Sequence, residues 1–173
     1  MEATVLVAYA TRYGSTAETA RRLAECLQRD GIHADVLPVS EVKELRPYSA
    51  VVLTAALYIG KLHKDARRFL ATWHEELAQR PVALLVPGPV EAQDKQFESA
   101  EKQLDKELER VPWLHPVARK VVGGKWDPAK LPFPFKWTLR KVPASDARDW
   151  NMVGAWAHEV AGKLQAPAPS NVV

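Results

Sequence analysis

The sequence predicts a doubly wound α/β fold: a five-stranded parallel sheet with helices on both faces. Three observations predict it. Short apolar runs rich in β-branched residues recur without polar alternation, as strands buried on both faces require. Long patterns with apolar residues three and four apart lie between them, the β-α alternation of a parallel sheet. A length of 173 residues, 47% hydrophobic and 26% charged, suits one domain with one core.

The elements follow in order. "ATVLVAYA" (3–10) reads as the first strand. "STAETARRLAECLQRDG" (15–31) reads as a helix, because Ala17, Ala20, Leu23, Ala24 and Leu27 recur at helical spacing and Gly31 is a stop signal. "HADVLPV" is a second strand and "SAVVLTAAL" (49–57) a third. "KDARRFLATWHEEL" (64–77) is a second long helix, and "PVALLVPG" (81–88) a fourth strand. Residues 94–110 form a charged helix with one apolar stripe: Phe97, Ala100, Leu104, Leu108 and Val111. "HPVARKVVGG" (115–124) ends in the fifth strand. A closing helix spans 146–164, with Trp150, Val153, Trp156, Ala157 and Val160 on one side. The domain is expected over residues 1–164, with 165–173 a frayed tail.

Composition excludes several classes. The single cysteine, Cys26, rules out an intrachain disulfide or a multi-cysteine metal site, and fits a cytoplasmic protein. No apolar run approaches the length of a membrane span, and the early first strand leaves no room for a signal peptide. The histidines lack metal-ligand spacing, so no metal is expected. Asp146 and Asp149 read as charge complements of a helix N-terminus.

Ligands of doubly wound folds bind outside the C-terminal strand ends, beside a switch in strand order. The first such turn holds Thr11, Arg12, Tyr13, Gly14, Ser15 and Thr16, directly before a helix. Free N–H groups at a helix N-terminus favour an anion, and three hydroxyls around a glycine add donors. The turn lacks the lysine of a P-loop and the glycines of a dinucleotide fingerprint, so a monophosphate is favoured. The alternative is that Ser15 or Thr16 only caps the helix, with Glu18 near the capping-box position. Two further loops leave the same edge: "TAALYIGKLHKDA" (54–66), where Tyr58 could cover a flat ring, and "VPGPVEAQD" (86–94).

This arrangement resembles the flavodoxin-like proteins, and among them the menaquinone-dependent protoporphyrinogen IX dehydrogenase branch. The resemblance rests on "YATRYGSTAETARRLAECL" (9–27), "VVLTAALYIGKLHKDARRFL" (51–70), "GGKWDPAKLPFPFKW" (123–137) and "ARDWNMVGAWAHEVA" (147–161). It implies strand order 2-1-3-4-5 and flavin mononucleotide (FMN) as cofactor. Thr11, Arg12, Tyr13, Gly14, Ser15 and Thr16 would hold the phosphate. Ala56, Leu57, Tyr58, Ile59 and Gly60, with Pro87, Gly88, Pro89 and Val90, would line the isoalloxazine. It implies an FMN-dependent oxidoreductase that takes electrons from a porphyrinogen and passes them to a menaquinone. No residue emerges as a catalytic base. The loop after the fourth strand has no aromatic residue, which would leave one ring face open. Two alternatives stand beside this: an electron carrier serving a redox partner protein, and a cofactor-free interaction module. The net charge of +3 counts against a carrier, since many such carriers are acidic.

Residues 119–141 are the least regular. Arg119, Lys120, Lys125, Lys130, Lys136, Arg140 and Lys141 face one acid, Asp127, with Trp126, Phe133, Phe135 and Trp137 interleaved. Such a mixture suits a membrane surface or an acidic apolar ligand, and a peripheral position at the inner face of the cell membrane. The other reading is aromatics that plug the core beneath a solvated basic rim. No motif for nucleic acid accompanies the charge.

Overall fold

The computed structural model describes residues 4–165. The chain opens with strand β1 (Thr4–Ala10), helix α1 (Ser15–Arg29) and strand β2 (His33–Pro38). Strand β3 (Tyr48–Ala55) leads into a short hairpin of β4 (Leu57–Tyr58) and β5 (Lys61–Leu62). Helices α2 (Lys64–Thr72) and α3 (His74–Ala78), strand β6 (Val82–Pro87) and helix α4 (Asp94–Leu108) follow. Strand β7 (Ala118–Val122), the short strand β8 (Lys125–Trp126), helix α5 (Phe135–Thr138), strand β9 (Ser145–Asp146) and helix α6 (Trp150–Gln165) complete it.

The sheet runs β2-β1-β3-β6-β7, all parallel, which is the expected order 2-1-3-4-5. Strand residues alternate between two cores, which is why the runs show no polar alternation. Leu6, Leu53, Leu84 and Val121 face one core with Phe69 and Leu104. Val7, Val52, Leu85 and Val122 face the other, with Leu23 of α1 and Trp156 of α6. All five apolar positions expected on α1 are buried.

Boundaries differ where side chains compete for the backbone. The pattern over 64–77 is two helices, because Trp73 leaves helical geometry at φ −104° and ψ 23°. It sits between Thr72 and His74, in a run of weak helix formers. The last helix begins at Trp150, not 146. Asp149 Oδ1 accepts the N–H groups of Asn151 and Met152 at 2.9 and 3.1 Å, as a cap does. Ser145 and Asp146 instead pair with Lys125 and Trp126. Arg119 and Lys120 belong to β7 rather than to the irregular segment, and Arg119 pairs with Asp105 of α4. Gln165 is the last residue of α6; the rest of the expected tail, 166–173, lies outside the described residues.

Candidate functional site

The C-terminal ends of β1, β3, β6 and β7 converge on one cleft. Between β1 and α1, Thr11 Oγ1 accepts the Gly14 N–H at 2.9 Å. Gly14 stands at φ 93°, a conformation that costs any residue with a Cβ. Gly14 is itself the N-cap, so it offers the first turn of α1 no side chain. Among the described residues no hydrogen bond reaches the Ser15 hydroxyl or Thr16 Oγ1. The capping alternative therefore fails, and Glu18 is engaged elsewhere, with Arg148. Thr16 is 1% exposed and its hydroxyl has no partner, an arrangement that costs energy unless a ligand supplies an acceptor.

The hairpin after β3 forms the second wall. Its two-residue turn, Ile59 at φ 48° and Gly60 at φ 75°, has the geometry of tight hairpins. Ile59 is 103% exposed, and a β-branched residue at positive φ is strained. Such strain persists where the surroundings over-determine it. The His63 N–H donates to Ala56 O at 3.0 Å, the Leu62 N–H to buried Glu107 Oε2 at 3.1 Å, and Arg67 Nε to Leu62 O at 3.2 Å. Burial raises the Tyr58 hydroxyl pKa and lowers that of His63, whose ring meets Tyr58 edge-on at 5.8 Å.

Tyr13, Ser15, Ala56, Leu57, Tyr58, Pro87, Gly88 and Val90 line the cleft together. Arg12 and Ile59 line a neighbouring pocket, and Pro89 a third. Thr11, Gly14, Thr16 and Gly60 belong to the same turns but line neither the cleft nor these neighbouring pockets. Gly124, Lys125, Trp126, Asp127 and Lys130 complete the lining, a fourth wall that the sequence reading assigned to a membrane or substrate surface. Its signal was present: glycines directly after a strand, as at the other walls. Gly124 N–H donates to Pro89 O at 2.6 Å, and Lys130 Nζ reaches Tyr13 O at 3.4 Å, which ties this wall to the others. Trp126 supplies the aromatic that the loop after β6 lacks, and its buried Nε1–H has no partner among the described residues.

Charge accumulates on the same side. Arg148 hydrogen-bonds Glu18 and Asp146 and holds both carboxyls below their usual range; Lys125 and Lys130 add to this at Glu18. Both carboxylates raise the Arg148 pKa in turn.

A family model described as a flavodoxin domain matches residues 6–149. The chain belongs to the flavodoxin family. Among its relatives, the chain is 27% identical over 188 aligned positions to protoporphyrinogen IX dehydrogenase [quinone] of Escherichia coli K12, covering 94% of this chain and 97% of that one. Among solved structures it is similar to Fusobacterium nucleatum flavodoxin bound to flavin mononucleotide, with a TM-score of 0.56 and 18% identity, covering 94% and 99% of the two chains. A Pseudomonas aeruginosa flavodoxin variant gives a TM-score of 0.57 at 15% identity, with the same coverage. The donor set of the cleft fits a flavin phosphate: open helix N–H groups, an orphaned Thr16 hydroxyl, and Lys125 and Lys130 nearby.

Proposed function

We propose that this protein is an FMN-dependent oxidoreductase that oxidises a porphyrinogen and delivers the electrons to a menaquinone. FMN is its cofactor. The observation that carries the reading is the cleft itself, which Ser15 of the open α1 N-terminus lines together with Tyr58 and Trp126. The first turn of α1, with Ser15 and Thr16, would hold the phosphate. Ala56, Leu57, Tyr58, Gly88 and Val90 would flank the ring and exclude water from it. When bound, the flavin supplies the redox chemistry, and the protein orients it and sets its surroundings. Each turnover removes two electrons and two protons from the donor and converts one quinone to quinol.

The substrate assignment is supported by the relative named protoporphyrinogen IX dehydrogenase [quinone], which aligns over nearly the whole of both chains. A quinone acceptor in a bilayer calls for a docking surface. Phe133 and Trp137 are 85% and 64% exposed, Phe135 is also exposed, and Lys136, Arg140 and Lys141 lie among them. These aromatics do not plug the core, which favours the membrane-facing reading of this segment. No helix among the described residues is long and apolar enough to cross a membrane, so contact would be peripheral. Flavin absorption bands in the purified protein, followed by porphyrinogen oxidation with a menaquinone analogue, test the proposal. A colourless protein, or a yellow one without turnover, refutes it; a yellow one that reduces a partner protein favours the carrier.

A further inference from the structure

A second pocket adjoins the β4–β5 hairpin. Arg12, Tyr58, Lys61, His63, Lys64 and Arg67 line it. Tyr58 borders both this pocket and the cofactor cleft. With Ile59 and Leu62 the lining has eight residues, of which four are cations, and among the described residues none of the four forms an ion pair. Asp65, the acid within this segment, lies 3.7 Å from His63 instead. Arg67 Nε is fixed by Leu62 O, which anchors the guanidinium at the wall. Like charges gathered without counter-charges repel one another, and an anion relieves that repulsion. His63 adds a neutral donor. It is 7% exposed, and its Nδ1 accepts the Asp65 N–H at 3.2 Å, so the ring proton sits on Nε2.

We propose that this pocket binds the carboxylate arms of the electron donor, while the donor's apolar body reaches the cofactor cleft past Tyr58. The inference rests on the donor being a carboxylate-bearing tetrapyrrole and assigns the groups that recognise its acid arms. An apolar macrocycle with short acid arms needs two unlike surfaces side by side. The hairpin provides that border: Tyr58 and the outward Ile59 offer apolar contact, and the cations begin at Lys61. The strained turn at Ile59 keeps that contact at the rim rather than folded into the protein.

The test uses FMN-loaded protein titrated with a metal-free porphyrin carrying two propionates, and with its dimethyl ester, followed by porphyrin absorbance. The parent should bind the diacid more tightly than the ester, and salt should weaken the diacid. Lys61→Gln with Lys64→Gln should weaken diacid binding by about tenfold or more, leaving ester binding and flavin content unchanged. Lys61→Arg with Lys64→Arg should retain diacid binding. Equal diacid binding by the Gln variant and the parent overturns the proposal. So does an ester that binds the parent as tightly as the diacid, or an Arg variant that fails like the Gln variant. A parent that oxidises porphyrinogen while the Gln variant does so at unchanged KM overturns the pocket alone. A parent that neither binds porphyrin nor oxidises porphyrinogen removes the donor reading itself, and the pocket's role with it.

Discussion

Thr16 carries a buried hydroxyl that no protein group satisfies. Thr16→Val keeps the shape and removes the orphan. If the hydroxyl serves a phosphate, FMN affinity should fall about tenfold, since a hydrogen bond to a charged acceptor contributes about 1.5–3 kcal/mol. The apo-protein should not lose stability, and chemical denaturation beside FMN titration checks both. Ser15→Ala with Thr16→Ala should exceed the single change, whereas riboflavin affinity should move little in either variant. A sequence displays these hydroxyls but not which of them is buried. Thr16 at the second helical position turns inward and Ser15 lines the cleft, a difference set by helix phase against the sheet. Arg12 looked equivalent to its neighbours in sequence, yet it lines the basic pocket, because the turn at Gly14 separates it from the helix axis.

Among the elements, the fastening of α1 to the segment before α6 has a pH signature. Glu18 and Asp146 have folded pKa values below their ordinary 4.5 and 3.8, chiefly through hydrogen bonds to Arg148. The stability they add is complete above those ordinary values and is lost as pH falls through the depressed ones. Between about pH 5 and pH 3 the parent Tm should therefore fall more steeply than that of Arg148→Ala, which lacks the guanidinium. Glu107 fastens the hairpin through one hydrogen bond. Glu107→Ala leaves the buried Leu62 N–H without its acceptor and should cost about 1–3 kcal/mol in urea unfolding, whereas Glu107→Gln should cost less. Gly123 allows no side chain, since a Cβ there would stand 1.8 Å from Ala147 O. Gly123→Ala should destabilise by at least about 1–3 kcal/mol and lower flavin content, as read by thermal melting and absorbance. Helix α1 was legible because its apolar spacing coincides with burial. Helix α6 was misjudged at its start because Asp146 and Asp149 look alike, and only the pairing of β8 with β9 separates them. The wall at 124–130 was hidden because its basic and aromatic composition resembles a surface, and a long-range hydrogen bond to Pro89 folds it inward.

The whole molecule presents one face that differs from the rest, where Phe133, Phe135 and Trp137 emerge beside Lys136, Arg140 and Lys141. Replacing the three aromatics with Ser should reduce co-sedimentation with anionic vesicles and leave FMN affinity intact. Each basic residue near such a surface contributes about 1 kcal/mol, so raised salt should release the parent as well. Unchanged sedimentation would remove the membrane from the reading. A parallel sheet covered on both faces was legible from apolar runs and their spacing, since burial on two faces erases alternation, whereas the strand order followed only from the family resemblance. Exposure of these aromatics was not legible, because a proline-rich segment carries no periodicity that distinguishes inside from outside. The packing of α6 against α1, with Val153, Trp156 and Val160 closing the core around Leu23 and Leu27, bears on biosynthesis. The hydroxyl turn leaves the ribosome long before the helix that backs α1 has been translated. A nascent chain halted before Arg148 exposes the apolar flank of α1 and lacks the guanidinium that holds Glu18. A chain truncated before Arg148 should therefore take up FMN less well than the full chain, as flavin fluorescence quenching would read.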